Sequence, residues 1–369
     1  MASPLGALGW RGHFAHDSPQ VRELRSELQA RAGIRGLQES MIDPSQPGFA
    51  EEAARRFHRD GLVVVNAVLS PERLAAVRRA AIHVVSEMVA LDPDRLGNRG
   101  SHRYSFARAP FQFGCAEEWA LLIDPPATSQ VVEAIFGSRD ARVAFLGGDF
   151  VLPGCVQYQG LHHDMRDFLS PAGAKVKLQD LPCPVLAVSY PMELKEGSDV
   201  GHSVFNGVTR IVPGSHRWTG PIPSAEEEPE WMKLSVAGPT PAGAAVFWDI
   251  RAWHAGTPNL SQEVRAIPGC GFRAPWLSSR IFGSEYTGIL SREVFSKLSA
   301  AGQRAARELA PTTDHPGGDL QGQVLWAPDW DVTTGKPGNV RPGSVNDRPG
   351  LAVDSVSPKS RRASVSSKL

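Results

Sequence analysis

The sequence predicts an α+β protein, mostly β in its second part, in which antiparallel strands close into a sandwich or barrel behind a helical layer. Three observations carry that prediction. Helical periodicity is concentrated before about residue 140. From about 141 the chain breaks into short β-rich runs separated by turn residues. Glycine (36) and proline (30) are too frequent for a helical bundle.

Taken in order, residues 1–48 mix polar segments with Gly and Pro and read as an extension packed on a domain. "PGFAEEAARRFHRDG" predicts a short helix closed by Gly61, and "LVVVNAVL" predicts the strand that follows. In "SPERLAAVRRAAIHVVSEMVAL", Ser70 is placed to cap a helix and Pro71 to begin it. Leu74, Val77, Ala81, Val84, Met88 and Leu91 recur at helical spacing and predict its buried face. A further helix is expected near 127–137. The strand-like runs are "ARVAFLGGDFVL", "VLAVSYPMEL", "GVTRIVPGS", "GAAVFWDI" and "VRAIPGCGF", and an amphipathic helix is expected over 291–309. Beyond about 335 a packed core is not expected, because Ser, Gly and Pro make up 15 of 35 residues and large apolar side chains are almost absent.

Composition narrows the function. With 41% hydrophobic residues in 369, the chain can bury a sizeable core. Lys+Arg and Asp+Glu both total 39, so charge gives no argument for nucleic acid or an anionic membrane. No apolar run approaches 18 residues, which argues against a membrane span. The opening "MASPLGALGWRGHFAHD" lacks the basic and apolar regions of a signal peptide. Cys115, Cys155, Cys183 and Cys270 are widely spaced and read as reduced, mostly buried thiols.

Two His-x-Asp triplets then invite comparison. His58-Arg59-Asp60 ends a predicted helix and reads as a polar helix terminus. His162-His163-Asp164 lies between strand-like segments, where residues i and i+2 project to one face, so His162 and Asp164 can grip one ion while His163 points away. His254 follows an apolar strand and precedes Gly256 and Pro258, which makes it the candidate third ligand. Two histidines and one carboxylate on one face of a metal leave open positions, as in non-haem Fe(II) oxygenases. Arg265, eleven residues further, would reach the same cavity if 254 and 265 lie on paired strands, and would hold a carboxylate by a two-pronged contact. His216 belongs to the turn "PGSH", and His202 sits in a polar stretch where surface placement is expected.

"LHHDM", "NGVTRIVPGSHRW" and "FWDIRAWHAGTPNLSQEVR" together resemble the phytanoyl-CoA dioxygenase family of Fe(II)/2-oxoglutarate oxygenases, and "FHRDGLVVVNAVLSPERLAAVR" is similar to that family's opening strand–helix segment. The resemblance implies a double-stranded β-helix (jelly roll, cupin-like) over about 49–285; periodicity and composition add a C-terminal helix and extension over 286–334 and a disordered basic tail over 335–369. It implies that His162, Asp164 and His254 bind Fe(II), that Arg265 pairs with the far carboxylate of 2-oxoglutarate, and that Gln159 and Thr209 contact the same co-substrate. The expected reaction consumes O2, releases succinate and CO2, and hydroxylates or otherwise oxidises a small organic substrate such as an acyl-CoA or lipid-derived acid. An aspartate at 164 argues against a halogenase, since related halogenases carry a small residue there. Arg99, Arg103 and Tyr104, in the Arg-rich stretch "RLGNRGSHRYSFARAP", are expected to meet the substrate from a lid, with a solvated loop as the alternative. The rival is a cupin-like metal-binding protein without oxidative activity. Finally, Ser367-Lys368-Leu369 reads as a peroxisomal address recognised by an import receptor.

Overall fold

The structure, a computed structural model, describes residues 5, 8–32, 41–106, 116–165, 167, 169, 173, 175–223, 238–277, 290, 292–310, 330–331 and 336–337. Cys115, residues 107–110 of the Arg-rich stretch and the Ser367-Lys368-Leu369 tripeptide expected to be a peroxisomal address lie outside them.

The helices form because their apolar residues recur on one face and their ends are capped. Helix α1 spans Pro19–Ala32, and α2 spans Phe49–Asp60 with Phe49, Ala53 and Phe57 buried. Gly61 closes α2 in the left-handed conformation (φ 76°) and donates its N–H to the Phe57 carbonyl at 2.7 Å. Helix α3, Pro71–Leu91, starts where Ser70 accepts a hydrogen bond from the Arg73 N–H at 3.3 Å. Its face buries Val77, Ala81, Val84 and Met88, whereas Leu91, at the last turn, is 53% exposed. Helices α4 (Ala116–Ala120) and α5 (Pro126–Phe136) complete the layer, and α2 packs on α5.

Behind the helices stands one large antiparallel sheet. Its strands are β1 (Leu62–Val65), β2 (Arg103–Ser105), β3 (Arg142–Val151), β4 (Val185–Ser189), β5 (Met192–Glu193), β9 (Ala245–Asp249) and β11 (Arg265–Arg273). They run in the order β1-β9-β4-β11-β3-β2, with β5 also paired to β11. Strand neighbours are distant in sequence, the mark of jelly-roll winding. Side-chain alternation decides which face meets which layer. Val63, Val65, Ala245, Phe247, Leu186 and Ala266 pack outward into the helical core, while Leu62, Val64 and Val246 point inward to Ile211 and Ala252. Both faces are covered, which is why these strands read as continuous apolar runs.

The second layer is shorter. Strands β6 (Val200–His202) and β8 (Thr240–Pro241) pair, as do β7 (Thr209–Ile211) and β10 (His254–Gly256), and the 155–162 segment lies beside β10 through the bridges His162↔His254 and Cys155↔Asn259. The two layers make the double-stranded β-helix that the sequence motifs imply.

Three local expectations change. The strand after Gly61 stops at Val65, because Ala67 takes a positive φ (47°) that a strand cannot continue through. The helix expected over 291–309 is two: α6 (Arg292–Lys297) and α7 (Ala300–Ala305). Ser299 restarts the chain, accepting from the Gly302 N–H at 3.0 Å while its own N–H donates to Asp124 at 2.7 Å. Residues 254 and 265 are not on paired strands, since β10 pairs β7 whereas β11 pairs β3, β4 and β5. They reach one interior from opposite layers. No helix among the described residues is long and apolar enough to cross a membrane.

Candidate metal centre

His162 and His254 are directly opposed in an antiparallel bridge. The His162 N–H donates to the His254 carbonyl at 3.0 Å and the His254 N–H returns the bond at 2.8 Å. Directly opposed residues share a face, so the imidazoles stand side by side with ring centroids 4.3 Å apart. Asp164, two residues on, is held by its N–H to the Ile250 carbonyl at 2.9 Å and projects to the same side. Its carboxylate lies 3.7 Å from His162 Nε2 and 3.6 Å from His254 Nε2. One ligand atom from each residue falls within 4.8 Å of the others, and among the described residues no other His, Cys, Asp and Glu cluster meets that test.

The donor chemistry fits a metal ion. Each histidine turns Nδ1 toward the carbonyl two residues before it, His162 to Gly160 at 2.8 Å and His254 to Ala252 at 3.0 Å. A carbonyl only accepts, so Nδ1 carries the proton and both Nε2 lone pairs face Asp164. Burial, and then the neighbouring His254, lower the His162 pKa to about 4, which keeps that lone pair free at neutral pH. His163 is not among the three, as the alternation predicts.

The centre opens on a cavity of about 370 Å³. Phe145, Leu146, Trp248, Ile250 and Ile267 give it apolar walls, and Arg99, Ser105, Asp149, Gln159, Ser189 and Thr209 supply polar groups. Gln159 is fixed by its backbone N–H to the Gly256 carbonyl at 2.9 Å and by Oε1, which accepts from the Gly256 N–H at 3.1 Å.

Arg265 is 2% exposed. It lies on the same face of β11 as Ile267 and Gly269, both cavity-lining, with no register shift between them. Nε donates to the Asn206 carbonyl at 3.4 Å and Nη2 to the Gly207 carbonyl, while buried Nη1 has no partner. Burial, and then the nearby Arg103, lower its pKa to about 9, leaving it protonated at neutral pH. One edge of the guanidinium is thus committed to the chain, and the orphaned Nη1 fits an anionic ligand group.

The arginines and tyrosine expected on a lid separate. Arg99 lines the cavity. Arg103 is 7% exposed and lies inside the barrel, donating to the Gln157 carbonyl at 2.9 Å and to the Thr257 carbonyl. Its guanidinium packs on Gly256, where any side chain would strike it and would come within 3.3 Å of Gln159 Oε1. Tyr104 points the other way. It is fully buried, stacked on Phe150 with ring centroids 4.7 Å apart, and donates its hydroxyl to Asp92 at 2.7 Å. Alternation along β2 puts 103 and 104 on opposite faces, so Tyr104 belongs to the helical core and not to a substrate site. The surface placement expected for His202 is also overturned, since it is 4% exposed. His216 packs over Gly61, away from the triad. Asp149 and Ser189 were not singled out in the sequence; a lone carboxylate in the apolar strand "LGGDFVL" was the available signal.

Fold and site together define a jelly roll with a two-histidine, one-carboxylate metal centre, the ligand set of non-haem iron oxygenases. Residues 202–267 carry the signature of the family described as Phytanoyl-CoA dioxygenase (PhyH), the one the motifs resemble. The chain is 32% identical over 122 residues to "Dioxygenase andF" of Emericella variicolor, a match covering 33% of this chain and 38% of that protein. Among solved structures it is similar to AviO1 from Streptomyces viridochromogenes Tue57 (20% identity, TM-score 0.47, 62% of this chain and 96% of that one). It is also similar to EctD from S. alaskensis with 2-oxoglutarate and 5-hydroxyectoine (18% identity, TM-score 0.45, 64% and 82%).

Proposed function

We propose that the chain is a non-haem Fe(II)/2-oxoglutarate-dependent dioxygenase that hydroxylates, or otherwise oxidises, a small organic substrate. The observation that carries this reading is the pairing of two features on one interior: the His162–Asp164–His254 face and, from the opposite layer, the buried Arg265 with its unpartnered Nη1. A cupin-like metal binder without oxidative activity has no evident use for that arginine.

Iron, 2-oxoglutarate and O2 supply the oxidation, with succinate and CO2 as by-products. The chain's own residues do the rest. His162, Asp164 and His254 would hold the metal, and the cavity they line would receive its other ligands. Arg265 meets the far carboxylate of the oxo acid. Gln159 and Thr209 line the cavity between, and Arg103, packed on Gly256 beside Gln159, would serve the co-substrate end. The apolar walls receive the body of the substrate and exclude water from the reacting carbon. Arg99 stands at the cavity wall within electrostatic reach of His162, placed for an acidic group such as the carboxylate of a lipid-derived acid or the phosphates of an acyl-CoA.

The test needs no substrate. Anaerobic protein with Fe(II) is titrated with 2-oxoglutarate, and the weak visible charge-transfer band of a chelated oxo acid is followed. The wild-type chain should show the band. His254→Ala should lose it with the metal, and Arg265→Ala should keep iron but weaken 2-oxoglutarate at least tenfold, the loss of a charge-assisted contact. Iron binding without any band would move the protein to the non-oxidative metal-binding class.

A further inference from the structure

A second buried nitrogen, on a strand linked through Asn206 to Arg265, is not used by the reading above. His202 ends β6 and is 4% exposed, and its Nε2 has no hydrogen-bond partner. Its backbone N–H is held by the Thr240 hydroxyl at 3.1 Å, which fixes its place. One residue earlier, the Gly201 carbonyl accepts from Asn206 Nδ2 at 3.1 Å, and the Asn206 carbonyl in turn accepts from Arg265 Nε at 3.4 Å. Asn206 thus fastens the His202 strand to the Arg265 guanidinium. The two side chains also feel each other: burial, and then the Arg265 charge, drive the His202 pKa far below its ordinary value. His202 is therefore neutral, with one N–H to give.

Buried polar atoms in native proteins are nearly always paired. Here Arg265 Nη1 and His202 Nε2 are both unpaired and are not bonded to one another. A guanidinium nitrogen only donates, and a neutral imidazole with its proton on Nε2 donates too, so an acceptor with two sites would satisfy both. A carboxylate has that chemistry, and with the Nε edge of Arg265 committed to main-chain carbonyls, a donor from His202 would add to what the free Nη1 gives.

Resting on the dioxygenase reading, we propose that His202 is a second residue for the far carboxylate of the oxo acid, donating from Nε2 to one oxygen while Arg265 Nη1 takes the other. The pair would make the site selective for dicarboxylic over monocarboxylic 2-oxo acids.

The test compares two ligands on anaerobic Fe(II) protein: 2-oxoglutarate, and 2-oxobutanoate, which has the same chelating head and no far carboxylate. His202→Ala should raise the Kd for 2-oxoglutarate about tenfold, as expected for losing a hydrogen bond to a charged group. It should leave 2-oxobutanoate within twofold. His202→Gln, which keeps an N–H donor, should recover part of the loss. Should His202→Ala fail to fold, the unmodified chain with Zn(II) and 15N-labelled histidine replaces it. The His202 Nε2 resonance should then move on adding 2-oxoglutarate and stay on adding 2-oxobutanoate. An unchanged Kd for 2-oxoglutarate, equal weakening of both acids, or a resonance indifferent to the far carboxylate would overturn the inference while leaving the dioxygenase reading in place. Fe(II) binding with no band from either acid would overturn both.

Discussion

At the scale of single residues, two neighbours on β2 show how much depends on which way a side chain faces. Arg103 and Tyr104 share a sequence context rich in arginine and aromatic residues, and both read as lid residues. One enters the barrel beside Gln159 and the other the helical core beside Asp92. The consequence is measurable. Tyr104→Phe removes a buried hydrogen bond to a carboxylate and should lower stability by about 1–3 kcal/mol, with the iron–oxo acid band unchanged. A change in the band at full stability would mean that Tyr104 reaches the site after all. The metal ligands were legible at this scale because alternation ties residues i and i+2 to one face, and His162 and Asp164 obey it. Asp149 and His202 were not, because nothing in their local sequence says which layer will stand opposite.

Elements follow local rules more closely. Helix α3 begins and buries what its sequence says, since capping and periodicity are decided within one or two turns. Ser70→Ala should cost about 1 kcal/mol through the lost cap, seen as a lower denaturation midpoint with no change in metal affinity. Two elements depart from those local rules. The helix expected over 291–309 divides at Ser299, whose N–H is claimed by Asp124 from another part of the chain. The strand after α2 is cut short at Ala67, a positive-φ position that alternation does not reveal.

For the molecule as a whole, the question is what ties the connections around the candidate metal centre to the large sheet. Part of the answer is Arg251, which is 4% exposed, just ahead of the ligand His254. It pairs with buried Asp249 through Nη2 at 2.7 Å and Nε at 2.9 Å, and through Nη1 it binds the carbonyls of Leu178 at 2.6 Å and Leu181 at 2.9 Å. One side chain thus joins the end of β9 to the connection preceding β4. Arg251→Met would leave the Asp249 charge buried without its partner and should destabilise the fold by about 3–5 kcal/mol, read as a lower urea midpoint. A loss under 1 kcal/mol would show that the tie is not structural.

The sequence by itself determined the helical layer and the β-rich core, and its motifs pointed to His162, Asp164, His254 and Arg265 as candidates. The first two rest on short-range geometry, helical and strand periods and capping; the candidates rest on the alternation of 162 and 164 and on the family resemblance of the motifs. The tertiary structure alone decided that His254 and Arg265 meet from opposite layers and not from paired strands. It also sent Arg103 inward and Tyr104 outward, and buried His202 out of its polar stretch. Those outcomes depend on which strands become neighbours, and strand neighbours in a jelly roll are far apart in sequence. No local pattern encodes them; burial of both sheet faces does.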